Sequence, residues 1–199
     1  MGRLQETGIV GKSGRSFYIR DRLLRYWLRY VFRRRRDAMD IDPARFLEEF
    51  QAAFAAAVED FRIQIKKDMP VRIMELFHCF DDEAIHMDGR RYKLPVFDNI
   101  SLEKMKFAAA AGFHLLRASA GADEWLILLK PEQVKEQDLS QIIAEVKKEY
   151  VRPQRCVLIS MHDLDETARV RALQERMWIW NERELRTLFN IYNKPYLVV

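Results

Sequence analysis

The runs EWLILLK at 124–130 and RCVLISM at 155–161 are apolar almost throughout, and the chain between them has a helical period. Leu139, Ile142, Ile143, Val146 and Tyr150 recur there at spacings of three and four, which predicts a helix. Strands that apolar need cover on both faces, and a helix between them makes the connection a crossover, which sets parallel strands side by side. No other feature constrains the fold as strongly. It demands a partly parallel sheet with helices packed on it.

The neighbouring segments extend that sheet. AGFHLLRAS at 111–119 reads as a strand joined to EWLILLK through a turn at Gly121, Ala122 and Asp123. DLDETARVRALQERM reads as a helix capped near Asp163 or Asp165, WIWN as a short strand and ERELRTLF as a closing helix. Upstream, AIHMDGRRYKLPVF holds Asp88-Gly89, a favoured two-residue hairpin turn. Before it, Asp42-Pro43 supplies an N-cap and a first-position proline for a long helix, with Phe46, Phe50, Phe54, Val58, Phe61 and Ile65 as its expected buried seam. PVRIMELFHCF predicts a second helix. From Asp42 the expected order is therefore α, α, β-hairpin, β, β, α, β, α, β, α.

The N-terminal segment differs. TGIVGKSGRS at 7–16 ends its Gly11-Lys12-Ser13 like a nucleotide-binding Walker A loop, which also needs a glycine five places before its final glycine and a helix after it. Position 6 is Glu, and Phe17-Tyr18-Ile19 reads as strand. An ATP site is rejected, and a hairpin is expected, with Ile9-Val10 and Phe17-Tyr18-Ile19 joined by a turn over Gly11 to Arg15.

RDRLLRYWLRYVFRRRR at 20–36 then predicts a helix with Leu24, Trp27, Leu28 and Val31 on its apolar face, widened by Leu23, Tyr26 and Tyr30. Arg22, Arg25, Arg29, Arg33 and Arg36 follow spacings of three and four, one stripe on the opposite side. Residues 1–36 hold eleven basic groups against two acidic ones, a net of +9, while the whole chain carries +4 and the remaining 163 residues therefore carry −5. That asymmetry points the N-terminal segment at a polyanion or an acidic partner. Arginine's fork matches phosphate, so Lys12, Arg15 and the five stripe arginines are the expected nucleic-acid contacts.

Composition closes off other classes. The hydrophobic share is 49% and the charged share 32% over 199 residues, as in a globular chain with a real core. No apolar run approaches the roughly 18 residues of a membrane span, and no signal-peptide core is visible, so the expectation is no membrane and a cytoplasmic location. Cys79 and Cys156 match neither a disulfide framework nor a zinc pattern. His78, Cys79 and His86 lack a fourth ligand and read as ordinary core or surface residues. Asp163, Asp165 and Glu166 suit a helix N-terminus.

The stretch LQETGIVGKSGRSFYIRDRLLRYWLRYVF resembles the join in archaeal-type P-loop ATPases where the wing of a winged helix runs into the pattern YxIxDxxLRxWxRxV. In that family the chain continues into a restriction-endonuclease-like domain of the PD-(D/E)xK type, and the order of elements here fits that continuation over nearly the whole chain. The resemblance implies a wing-hairpin remnant and basic helical neck over 1–41 and a restriction-endonuclease-like α/β domain, a mixed sheet flanked by helices, over 42–199. It also implies that the chain is a C-terminal fragment or truncated relative, with an ATPase module or another protein as partner.

Nucleases of that class hold Mg²⁺ on an acid of one strand and on the acid of an E-x-K on the next, and the Lys helps activate water. Laying FHLLRAS and LILLKPE on the pattern puts Leu116 and Leu128 where the two acids belong. Lys130 alone matches, and Glu59 in AAAVEDF resembles the family's helix-borne Glu. The implied protein is a degenerate, non-catalytic nuclease fold without a cofactor. The alternative is an active Mg²⁺-dependent nuclease with a displaced acid. Glu145-Val146-Lys147 is a formal E-x-K, but it falls on positions of helical period. A third reading is a structural dimerisation module, a homo-oligomer packed through Tyr26, Trp27 and Tyr30 of the neck.

Overall fold

The computed structural model describes residues 7–13, 16–21, 24–25, 27–32, 43–150 and 153–196. The chain divides into two compact units, Met1–Lys67 with Asn193–Val199 and Asp68–Tyr192. The division falls after residue 67, whereas the sequence reading starts the α/β domain at 42. The long helix thus groups with the N-terminal segment.

In the first unit, β1 (Val10–Ser13) and β2 (Ser16–Ile19) form an antiparallel hairpin in which Gly11 pairs with Tyr18. Gly11, Lys12 and Ser13 lie in the strand and not in the turn. A Cβ on Gly11 would overlap the Tyr18 ring, so the glycine that mimics a phosphate loop is there to seat an aromatic side chain. Asp21 accepts a hydrogen bond from the Leu24 N–H at 2.6 Å and caps the neck that follows. The neck is not a uniform α-helix, because Trp27–Phe32 is a π-helix. Trp27 and Phe32, five residues apart, meet at 5.4 Å with their rings tilted by 34°, as the wider turn permits. Both are exposed, while Leu24, Leu28 and Val31 are half-buried.

Helix α1 (Pro43–Lys66) runs for 24 residues. Its expected seam is largely uncovered: Phe54, Val58 and Phe61 are exposed, Phe50 and Ile65 are half-buried, and the Phe46 side chain lies outside the described residues.

The second unit is built on a five-stranded sheet. It opens with α2 (Met69–Phe77) and the hairpin of β3 (Ala84–Met87) and β4 (Arg90–Lys93). Asp88 and Gly89 both take positive φ, 47° and 73°, as the expected tight turn requires. Next come β5 (Asn99–Glu103), the short α3 (Lys106–Ala110), β6 (His114–Ala120) and β7 (Asp123–Lys130). The unit closes with α4 (Glu136–Glu149), β8 (Arg155–Ser160), α5 (Glu166–Gln174), β9 (Trp178–Trp180) and α6 (Glu182–Ile191). The sheet order is β5-β6-β7-β8-β9, antiparallel as far as β7 and parallel from β7 to β9. The expected mixed α/β sheet is present, with one strand, β5, and one short helix, α3, beyond the expected order.

Alternation sorts each strand's side chains onto two faces. Leu115, Leu126, Leu128 and Leu158 pack with Leu139, Ile142, Ile143 and Val146 of α4 and with Ala168 and Ala172 of α5. The other face carries an aromatic layer. Trp125 and Trp178 meet edge to face at 5.1 Å, Phe97 joins Trp125 at 5.2 Å, and Phe77 of α2 reaches Trp180 at 5.7 Å. Helix α6 is held by a capping box in which Asn181 accepts from the Arg183 N–H at 2.8 Å and Glu184 accepts from the Asn181 N–H at 2.9 Å. No helix among the described residues is long and apolar enough to cross a membrane.

Candidate functional site

Lys130 ends β7, and alternation turns its side chain to the same face as Leu126 and Leu128. The residue is only 8% exposed. A buried ammonium needs a partner. Asp138, in the first turn of α4, provides it at 2.7 Å from Nζ. The Phe113 ring adds a face 5.1 Å from Nζ. The Lys130 hydrogen bond holds the Asp138 carboxyl below its ordinary range against the opposing effect of burial. Gly112, at φ +72°, passes over the pair, where a Cβ would sit 3.5 Å from Glu132 Oε2 and 3.6 Å from Lys130 Cε. Those are ordinary contact distances, so it is the positive φ that calls for glycine there.

Next to this pair the sheet is closed by leucine. Leu128 and Leu115 are direct partners across β6 and β7, and both are fully buried. Leu116, which the sequence reading puts at the first acid's position, pairs with Ile127 and points to the aromatic face, so it does not share a face with Leu128 and Lys130. A one-residue shift in register moves a side chain through the sheet.

The other candidate acids and bases do not join Lys130. Glu59 belongs to the first unit, exposed on α1 with Arg62 at 3.4 Å. Glu145 and Lys147 lie on α4, as their helical period indicates, and face separate partners, Lys148 at 2.5 Å and Glu175 at 2.7 Å. Cys79 donates to the Glu75 carbonyl at 3.2 Å, and His78 and His86 are exposed. Burial, with Glu175 nearby, pushes the Cys156 thiol up to about 12, which makes it a poor nucleophile. No group of three or more metal-ligating side chains occurs among the described residues. A shallow cleft beyond the carboxyl ends of β8 and β9, lined by His162, Asp163, Asn181, Arg183 and Arg186, was not foreseen in the sequence. Its two arginines pair with Asp88 at 3.3 Å and Glu182 at 2.6 Å.

Of the expected nucleic-acid contacts, Arg15, Arg22, Arg33 and Arg36 lie outside the described residues, as do the side chains of Lys12 and Arg29. Arg25 is described and faces its own unit. Its Nε donates to the Ile19 carbonyl at 3.1 Å, a second guanidinium nitrogen donates to the same oxygen, and a third donates to Asn193 Oδ1 at 3.0 Å. It ties the end of the hairpin to the neck.

No protein-family model, curated relative or solved structure matches the chain.

Proposed function

We propose that this chain is a binding domain of an ATPase-like protein, built on a nuclease-like sheet that does not cleave. Nucleic acid is its ligand, held through the arginine-rich neck. One observation carries the non-catalytic part: Leu115 and Leu128 fill the facing positions beside Lys130 with side chains of zero exposure. Mg²⁺ is a hard cation that takes oxygen ligands and keeps several waters. A dry leucine pair gives it neither, so the residues at these positions do not fit the metal. The antiparallel β5-β6-β7 meander followed by the α4 crossover to β8 supports the nuclease-like reading of the sheet.

The binding part rests on charge. The unit containing the neck holds sixteen basic residues against nine acidic ones, whereas Asp68–Tyr192 carries a net −3. With Arg25 engaged in the hairpin contact, Arg29, Arg33 and Arg36 are the residues assigned to phosphate. Each neutralised phosphate on duplex DNA contributes about −0.9 to the log–log dependence of affinity on salt. Replacing Arg29, Arg33 and Arg36 with Gln should therefore flatten the slope, read by fluorescence anisotropy of a labelled duplex, by about 2 to 3 units. Equal binding by wild type and variant at every salt concentration would assign the arginines to solvent or to a protein interface.

A rival reading is an active Mg²⁺-dependent nuclease with displaced acids. Asp138, ionised at 2.7 Å from Lys130, favours it, with Glu132 as the second carboxylate. Cleavage of plasmid or single-stranded substrate that depends on Mg²⁺ and is lost in Asp138→Asn would establish it.

A further inference from the structure

Two aromatic side chains of the neck meet at the surface, and the π-helix is what brings them together. Trp27 and Phe32 are 44% and 46% exposed, while Leu24, Leu28 and Val31 are half-buried. At 3.6 residues per turn, side chains five apart in an α-helix stand about 140° apart around the axis. The i→i+5 bonding over Trp27–Phe32 instead returns the last residue over the first, and the ring centroids lie 5.4 Å apart. Turns of this kind are rare and recur at functional sites.

We propose that this pair is a stacking platform for an unpaired base, so that the nucleic acid the neck takes is single-stranded. The inference rests on the reading of the neck as a nucleic-acid contact and names the form of nucleic acid it prefers. Residues 20–36 hold eight basic groups against one acidic, a net of +7. A second copy bringing the same charge to this face would be repelled, and the cores of protein interfaces are poor in charge. An exposed aromatic pair in so positive a segment suits a ligand that carries phosphates and flat apolar faces together. In a duplex those faces are covered by neighbouring base pairs, whereas in a single strand they are open to an aromatic side chain.

Area and geometry agree. An aromatic side chain offers roughly 150–250 Å², so the exposed parts of the two amount to roughly 130–230 Å². That falls well short of the roughly 800 Å² each partner contributes to a specific protein interface, and it is ample for one stacked base. The rings, tilted by 34°, are too close to admit a base between them, which would need two contact distances of about 3.5 Å. The base therefore lies against the outside of the pair, and its flanking phosphates are left to Arg29, Arg33 and Arg36.

The test is an anisotropy titration of the full chain with labelled oligothymidylate, oligouridylate and mixed-sequence duplex. As salt rises, at least one of the single strands should stay bound after the duplex is released, because stacking releases no counterions. Trp27→Ala with Phe32→Ala should weaken that single strand by on the order of 10- to 100-fold and the duplex by no more than about twofold. The salt slope should not change, since no charge is removed. Trp27→Phe with Phe32→Tyr keeps both aromatic faces and should bind the single strand within about threefold of wild type. A single strand indifferent to the alanine variant, or single strand and duplex weakened alike, overturns the inference. In that case a slope still flattened by replacing Arg29, Arg33 and Arg36 leaves the neck reading standing. If wild type takes up neither single strand nor duplex at low salt, the neck reading fails and this inference with it. If the alanine variant loses its helix signal in circular dichroism, Trp27→Leu with Phe32→Leu takes its place, keeping apolar bulk without an aromatic face. Unchanged single-strand binding by the leucine variant overturns the inference.

Discussion

The two units of this chain spend their apolar residues in opposite ways. Every buried apolar side chain of the described residues except Tyr196 belongs to Asp68–Tyr192, while eight of the thirteen exposed large ones lie between Phe17 and Ile63. The α/β unit covers both faces of its sheet from its own helices. The N-terminal unit leaves Trp27, Phe32, Leu47, Val58 and Phe61 exposed and carries a net +7, sixteen basic residues against nine acidic ones. A domain that closes its own core can serve as a rigid body, and one that leaves apolar and charged surface open is arranged to meet something. The Lys130–Asp138 pair falls in the closed unit, and the surfaces fit for contact fall in the open one.

The harshest way to break this contrast is to place acids beside Lys130. Leu115→Asp with Leu128→Glu would bury two carboxylates in an apolar layer. Each uncompensated buried charge costs about 3–5 kcal/mol, against a typical total stability of about 5–15 kcal/mol. The double variant should lose its cooperative urea transition, followed by tryptophan fluorescence. Ile63→Glu, at an exposed position of α1 on the side opposite Phe54, should stay within about 0.5 kcal/mol of wild type. A folded, metal-dependent double variant would mean that the sheet site is open after all.

A smaller effect tests the Lys130–Asp138 pair. Asp138 has a folded pKa below its unfolded value of about 3.9, so the unfolded chain binds more protons in that window. Its contribution is present above the unfolded pKa and is lost as the pH falls through the folded one. Between pH 5 and the acid limit, stability should therefore fall less steeply in Asp138→Asn than in wild type, measured as urea midpoints across that range. Identical slopes would mean that Lys130 is held by Phe113 and the surrounding packing alone.

Much of the closed unit was legible in the sequence because local signals and tertiary needs coincide there. Asp88-Gly89 names its own turn, the 139–150 spacing has a helical period, and EWLILLK and RCVLISM are too apolar for anything but a covered sheet. β5 was not legible. It is an edge strand with one buried side chain, Ile100, and edges need no continuous apolar pattern. The register that sets Leu115 against Leu128 was not legible, because Leu115 and Leu116 are both apolar and the pattern does not say which of them faces Lys130. Asp138 was missed as the partner of Lys130 because the contact joins a strand end to a helix start eight residues away. The π-turn in the neck carries no pattern distinct from an α-helix of the same composition. The α1 stripe was legible as apolar, but its burial is only partial: Phe50 and Ile65 are half-buried, and Phe54, Val58 and Phe61 are exposed.

The division of labour between the units is tested most directly by hydrogen exchange of the full chain, read by mass spectrometry at low salt with and without saturating duplex DNA. Exchange should slow in peptides covering 16–36 and stay unchanged in those covering Gly112 and 130–138. Protection at Gly112 and 130–138, with none in the neck, would place nucleic acid at Lys130 and contradict the account.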